Sequence, residues 1–185
     1  MGVDSPNGIA VHLNGSLYVT SSGGKIYRVD PVANTYDIVI EYSDYPLNGI
    51  TFSPDYQTLY FNEESGFIHK AAVNPDGTLQ PDEILTYLEQ GTVTTLLNGM
   101  AADSCGNVYT ADMAGVIWRI TPSGETELAV EITDEQKDSL NTTITAVNFG
   151  SGYGGWKRNH LYTISYTGNI HEVDIGVTGK PEPHL

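Results

Sequence analysis

The chain is short of cysteine, positive charge, long apolar runs and helical periodicity, and each shortage removes a class of explanation. A single cysteine, Cys105, rules out an internal disulfide and leaves the redox compartment unspecified. It sits in the turn Ser104-Cys105-Gly106-Asn107 with no base beside it in sequence, which is the setting of a turn residue and not of a nucleophile. Only 8 lysines and arginines stand against 23 aspartates and glutamates, for a net charge of −15. That balance argues against nucleic acid and anionic membrane as partners. The acids are scattered, as on a solubilising surface, and do not form a focused cation trap. No apolar segment is long enough to span a bilayer. The stretch Met1-Gly2-Val3-Asp4-Ser5-Pro6 has no basic or apolar run of a signal peptide. The expectation is therefore a cytoplasmic location, or an unknown one if the true N-terminus is missing. Only Asp134–Leu140 could form a helical turn, and it reads better as a connecting loop.

What the chain does have is a repeat. Three Asn-Gly steps each open a short apolar strand: Asn7-Gly8-Ile9-Ala10-Val11, Asn48-Gly49-Ile50-Thr51-Phe52 and Asn98-Gly99-Met100-Ala101-Ala102. They lie 41 and then 50 residues apart, and each is followed by a strand built on Leu17-Tyr18, Leu59-Tyr60 or Val108-Tyr109. A period of that size signals a repeat architecture. The strands read as Gly8–Leu13, Ser16–Ser21, Lys25–Asp30 and Asp37–Tyr42, then Gly49–Ser53, Thr58–Asn62, Phe67–Val73 and Glu83–Leu88. A third set is Gly99–Asp103, Asn107–Asp112, Val116–Thr121 and Glu127–Ile132. A fourth has only Ile144–Phe149, His160–Ser165 and Asn169–Ile175. Turn residues such as Asn14-Gly15 and Pro75-Asp76-Gly77 punctuate them.

Four short strands per repeat is the pattern of a β-propeller blade. The expected fold is all-β: a propeller of four blades of four antiparallel strands, one domain over residues 1–185, forming part of a larger ring. Tyr18, Tyr60, Tyr109 and Tyr162 are expected to pack between blades, because a lone sheet cannot cover its own faces. The last repeat lacks an outer strand, and its tail from Gly176 to Pro183 is too rich in Gly and Pro to supply one. Open edges and bare faces favour association, so the partner expected is a second copy, or N-terminal blades that the chain lacks.

The first strand of a blade lines the central channel, so Asn7, Asn48 and Asn98 are expected to converge on one face of it. A tight-turn role for Asn-Gly fits less well, because Asn14-Gly15 already makes the hairpin of the first repeat. Loops between second and third strands return to that same face and carry Glu63, Glu64 and Asp112. Glu63 and Glu64 read as solvated loop acids, whereas Asp112 is evenly balanced between loop acid and site residue. His12, His69, His160, His171 and His184 show no zinc-like spacing. Gly152–Gly155 is not a phosphate loop, and no nucleophile elbow is present.

The residues then resemble a known family: six-bladed propellers related to gluconolactonase, regucalcin (senescence marker protein) and luciferin-regenerating enzyme. The resemblance is carried by Leu47–Asp55 with Leu59-Tyr60, by Asn98–Asp103 with Gly106–Tyr109 and Val116–Ile120, and by Val173–Pro183. It covers nearly the whole chain but only the last two-thirds of a family member. It implies a divalent cation, usually calcium, at the channel mouth, with Asn48 as a ligand and Asn7 near the metal or substrate. It also implies an acid at the position of Asn98 and a Glu on a blade absent here. The implied activity is metal-dependent hydrolysis of lactones or related esters, acting on a lactone or sugar-acid-like small molecule.

Two departures weaken that inheritance. Calcium favours carboxylate oxygens, and three amides bring no charge, so weak binding is expected. An amide has no usable pKa, so Asn98 cannot remove a proton, and proton acceptance would fall to Asp112. The alternative is a non-catalytic propeller, a binding module or a truncated family member that folds by association.

Overall fold

The computed structural model describes residues 2–43, 45–88, 96–131 and 143–183. Among them the regular structure is entirely β, so no helix is long and apolar enough to cross a membrane. Blade 1 comprises β1 (Pro6–Val11), β2 (Leu17–Ser21), β3 (Lys25–Asp30) and β4 (Thr35–Glu41). Blade 2 comprises β5 (Leu47–Phe52), β6 (Thr58–Glu63), β7 (Phe67–Ala72) and β8 (Glu83–Tyr87). Blade 3 comprises β9 (Leu97–Ala102), β10 (Val108–Asp112), β11 (Val116–Ile120) and β12 (Thr126–Glu131). Blade 4 has only β13 (Ile144–Phe149), β14 (His160–Ser165) and β15 (Ile170–Asp174). Each blade is an antiparallel meander in sequence order, and together they form a β-propeller arc. The stretch Asp134–Leu140 and residue His184 lie outside the described residues.

The core consists of three layers, one between each pair of successive blades. Tyr18 and Ile26 of blade 1 meet Leu47, Ile50, Phe52 and Phe61 of blade 2. Tyr60 and Ile68 continue onto Leu97, Met100 and Val108. Tyr109 and Ile117 pack on Ile144, Val147 and Leu161. The tyrosine of each second strand therefore faces the following blade. Tyr18, Tyr60 and Tyr109 are 0%, 5% and 1% exposed. Tyr162 departs from the expectation. No blade follows it, so it lies on an open face, with its ring centroid 4.6 Å from that of Trp156 and its hydroxyl donating to Glu172.

The innermost strands explain the Asn-Gly repeat. A Cβ on Gly49 would stand 2.7 Å from the Gly99 carbonyl carbon, and one on Gly99 would stand 2.7 Å from Ala146 Cα. Neighbouring first strands thus touch backbone to backbone, which only glycine permits. The ladder slips at each step, between Pro6 and Ile9 and between Leu47 and Ile50, freeing a backbone N–H. A polar second-strand residue takes up that group and also reaches the next blade. Gly8 N donates to Thr20 Oγ1, which donates in turn to the Asn48 carbonyl. Gly49 N donates to Asn62 Oδ1, while Asn62 Nδ2 donates to the Asn98 carbonyl at 3.0 Å. Buried groups satisfied on both sides pin each blade to the next.

A second repeated device closes the hairpins between second and third strands. Ser21, Glu63, Asp112 and Ser165 each accept, at the main-chain carbonyl, the N–H of a glycine three residues on: Gly24, Gly66, Gly115 and Gly168. All four glycines have positive φ, where a side chain would be strained. This placement corrects the reading of Glu63 as a solvated acid. It is 6% exposed, and its Oε1 accepts from His69 Nε2 at 3.0 Å. His69 Nδ1 lies 3.0 Å from Asp82, whose carboxylate also accepts the Tyr42 hydroxyl of blade 1. Burial and then the bond to Asp82 push the Tyr42 hydroxyl well above its ordinary pKa, so it remains a donor.

The tail adds no outer strand to blade 4. It crosses beneath the inner strands instead. Gly179 N donates to the Arg158 carbonyl, Lys180 N to Ala102 and Ser104 N to Thr178. Tyr56 of blade 2 donates its hydroxyl to the Pro181 carbonyl at 2.6 Å. Burial, then the Glu182 carboxylate, pushes this hydroxyl up to about 12, so it holds the strap at physiological pH.

Among the described residues blades 1 and 4 each have a face with no blade packed on it, although Tyr27 on blade 1 is itself buried. On blade 1, Ile9, Val19, Tyr27 and Ile38 form one cross-strand ladder, and Val11, Leu17, Val29 and Tyr36 form a second. On blade 4 the ladder is Ala146, Ile164 and Ile170.

The backbone contact at the axis gives a direct test. Gly49→Ala should destabilise the fold by about 1–3 kcal/mol, because an overpacked core must shift its backbone. Urea unfolding monitored by tryptophan fluorescence would show this as a lowered midpoint, and an unchanged midpoint would refute the close-contact account.

Candidate functional site

The first strands bring two of the three predicted asparagines together. Asn48, at the start of β5, is 6% exposed, and its Nδ2 donates to Asn98 Oδ1 at 2.8 Å. Asn98 Nδ2 donates to the Ile144 carbonyl at 3.0 Å. Asn48 Nδ2 also lies 3.4 Å from Glu64 Oε1. Both ends of this relay are acceptors only, a carbonyl and a carboxylate, and that fixes which way each amide points. Asn98 thus bonds the chain through both its oxygen and its nitrogen. Asn48 Oδ1 receives no hydrogen bond among the described residues and is left for a ligand or cation.

Asn7 is exposed and lines the same central cavity as Asn48, together with residues of β9 and β13. The cavity is thus walled by all four inner strands. No hydrogen bond links Asn7 to the Asn48–Asn98 pair among the described residues.

Glu64 is the residue that sequence reasoning undervalued. The turn carrying it is wedged between two first strands: Glu64 N donates to the Pro46 carbonyl, and Leu97 N donates to the Glu64 carbonyl. Its side chain therefore sits beside the Asn pair and not out in solvent. The signal was present in sequence as the position after the hairpin acceptor, occupied by Ser22, Glu64, Met113 and Tyr166 in successive blades. Only blade 2 places an acid there.

Asp112 occupies the hairpin-acceptor position itself. Its Oδ1 accepts from Ala114 N at 2.9 Å and Val116 N at 3.0 Å, and its Oδ2 accepts from Trp118 Nε1 at 3.2 Å. It is 5% exposed. The structure does not join Asp112 to Asn48, Asn98 or Asn7 by any hydrogen bond among the described residues. Ser21 and Ser165 use their hydroxyls in the same way, accepting from Gly23 N and Asn169 N.

The donor set at the mouth is hard oxygen: the open amide oxygen of Asn48, the Glu64 carboxylate and the exposed amide of Asn7. That chemistry suits calcium better than a transition metal. With one carboxylate it predicts a shallow affinity. Among the described residues no group of three or more His, Cys, Asp or Glu side chains gathers as a metal cage. His69 is bonded to Glu63 and Asp82, and His160 lies 2.8 Å from Glu172 and 3.5 Å from Asp174.

The sequence pattern of the SMP-30/Gluconolactonase/LRE-like region matches residues 3–166. A lactonohydrolase, oryH of Aspergillus oryzae, is 26% identical over 167 residues, covering 83% of this chain and 34% of that protein. The chain thus spans about a third of the length of this curated relative. Among solved structures, luciferin-regenerating enzyme superposes with a TM-score of 0.76 at 16% identity, covering 96% of this chain and 64% of the other. A calcium-binding regucalcin from Agrobacterium tumefaciens gives 0.73 at 18% identity, covering 97% and 65%. A gluconolactonase from Xanthomonas campestris gives 0.68 at 18% identity, covering 94% and 57%. At these identities the structural likeness speaks to the fold alone.

The relay can be probed without any ligand. Asn48→Leu should leave Asn98 Oδ1 and Glu64 without their shared donor, lowering stability by about 1–3 kcal/mol. Thermal unfolding followed by circular dichroism would detect it, and an unaltered transition would mean that the relay does not form in solution.

Proposed function

Since the chain belongs to the SMP-30/gluconolactonase/LRE-like family, we propose that it is a lactonase-like hydrolase whose site is the channel mouth at Asn48 and Glu64. The observation that carries this reading is the pairing of an oriented amide, whose oxygen accepts no hydrogen bond among the described residues, with a carboxylate at hydrogen-bond range. A lactone or related sugar-acid-like ester fits a channel lined by amides and backbone.

A divalent cation, calcium by the hardness of the donors, would be held by Asn48 Oδ1, Glu64 and Asn7. When bound it would supply polarisation of the ester carbonyl and a more acidic water. The chain's own residues do the rest. Asn48 orients the reacting group, because its amide is fixed by Asn98. Asn98 positions Asn48 and takes no proton. Proton acceptance requires a carboxylate. Asp112 and Glu64 are the two acids proposed, of which Glu64 is already in contact with Asn48, while Asp112 is engaged with Trp118 and its own turn. Glu64→Gln and Asp112→Asn separate the roles. A base substitution should lower kcat by about 100-fold or more. A hairpin substitution should lower the unfolding midpoint first.

The second reading is a non-catalytic binding propeller. It is favoured by the Asn98 amide, which bonds the chain through both its oxygen and its nitrogen where the family resemblance implies an acid. Calcium calorimetry with wild type and Asn98→Asp, beside hydrolysis of a gluconolactone, discriminates the two. The hydrolase reading expects weak calcium binding, about tenfold or more tightened by the added carboxylate, together with calcium-dependent turnover. Calcium binding without turnover in either protein favours the module.

The partner proposed is a second copy. The three interfaces inside the chain show what a blade face packs against, namely another blade, and two apolar faces have none. Ile9 at 61% exposed and Ile170 at 54% mark them. Sedimentation at micromolar concentration should show a dimer or larger species. A clean 20.0 kDa monomer would reject this proposal.

A further inference from the structure

Toward the other end of the channel from the asparagines lies a cavity of about 370 Å³, which shares Thr51, Asn148, Lys180 and Glu182 with the central cavity. It opens between the ends of β9 and β13, and the C-terminal strap closes one side of it. In a chain so poor in cations, it is notable that two of them line it, Arg158 and Lys180.

The two cations are in different states. Lys180 is 7% exposed at its side chain and is already neutralised: its Nζ lies 2.6 Å from Glu182, 3.2 Å from the Tyr56 hydroxyl and 4.8 Å from the Tyr56 ring centroid. Lys25, Arg28, Lys70, Arg119 and Lys157 likewise each hold a carboxylate. Among the described residues Arg158 is the one lysine or arginine that holds none. It is nevertheless held in place. Its Nε donates to the Ser151 carbonyl at 3.2 Å, and its own carbonyl accepts from Gly179 of the strap at 2.9 Å. Its stem lies against Gly152, where a Cβ would come within 3.0 Å of Cγ. Nε and the stem are thus engaged, and the terminal guanidinium nitrogens make no hydrogen bond or ion pair among the described residues.

The remaining lining supplies neutral donors. Ser104 Oγ accepts from Thr178 Oγ1, and Ser151 Oγ accepts from Tyr153 N, so each hydroxyl keeps its own hydrogen to give. Asn148 adds an amide. The wall between these groups is apolar, formed by Ala101 and Phe149.

We infer that this cavity binds a small polyhydroxy monocarboxylate, with Arg158 as the carboxylate anchor. The charge sets the valence. Lys180 and Glu182 cancel, so the cavity presents one net positive group, which suits one carboxylate and not a dianionic phosphate. A planar fork matches a carboxylate in bidentate geometry. The hydroxyls and the amide suit the ligand's own hydroxyl groups. The large negative charge of the chain does not overrule this, since charges farther than about 8 Å are largely screened at physiological salt. The inference rests on the lower cavity alone and does not require catalysis at the channel mouth.

D-gluconate is the probe. Titration at physiological salt, read by calorimetry and by amide shifts in nuclear magnetic resonance, should show saturable binding with a Kd of about 1 mM. The shifts should fall on Ser104, Thr178 and Gly179, not on Asn48 or Asn98. Arg158→Gln, at an exposed position, should weaken binding about tenfold or more while leaving the unfolding transition in place. Arg158→Lys should recover part of it, and neutral glucose should bind far more weakly. Shifts confined to the asparagine face, an Arg158→Gln protein that binds as tightly as wild type, or no saturation by about 20 mM would overturn the inference.

Discussion

Everything in this fold follows from how closely the first strands approach one another around the channel. They are in backbone contact at Gly8, Gly49 and Gly99, nearer than any side chain allows. That approach puts the Asn48 and Asn98 amides 2.8 Å apart, a separation that residues fifty positions apart in sequence could not keep otherwise. It also creates a problem, because the slipped ladder leaves polar groups inside. Thr20 and Asn62 resolve it by bonding their own glycine and the neighbouring blade at once. The axis is therefore tight and polar-satisfied, and the greasy packing of Tyr18, Tyr60 and Tyr109 lies farther out. Burial along the inner strands follows the same logic. All of β5, flanked on both sides, is buried, whereas β1 has one neighbouring blade and is largely open.

The repeat also separates residues that hold the fold from residues free to do chemistry. At the end of each second strand one residue secures the hairpin, whether it is Ser21, Glu63, Asp112 or Ser165. Acids at that position are drawn inward: Glu63 into a chain of bonds through His69 and Asp82 to Tyr42, Asp112 onto Trp118 and its own turn. The next position points to the channel mouth, and there the acid is Glu64. Neighbouring positions in one turn thus have opposite fates.

The two ends of the channel differ in chemistry. One offers amides and a carboxylate, which attract cations. The other offers an ion-paired lysine, an arginine that holds no carboxylate among the described residues, and hydroxyls beneath a strap bonded to blades 2, 3 and 4. The strap also does for the open arc part of what ring closure does for a complete propeller, since it ties non-adjacent blades together along their lower edges.

Much of this was legible in the chain itself. The Asn-Gly period, the alternating β-branched and aromatic strands and the turn residues determine the blades and their order, because strand patterning and turn chemistry are local properties. The same period singles out Asn7 and Asn48, which line the central cavity, and Asn98, which bonds Asn48. What the sequence alone did not decide is which groups are spoken for. Whether Asn98 is free, whether Glu63 is solvated, whether Tyr162 is covered and where the Gly- and Pro-rich tail goes depend on contacts made across blades. Those contacts pair residues such as Tyr56 with Pro181, or Asn98 with Ile144, that no local pattern connects. Hydrogen-bond partners are chosen by proximity in space, and at the crowded axis of this fold only the tertiary structure sets that proximity.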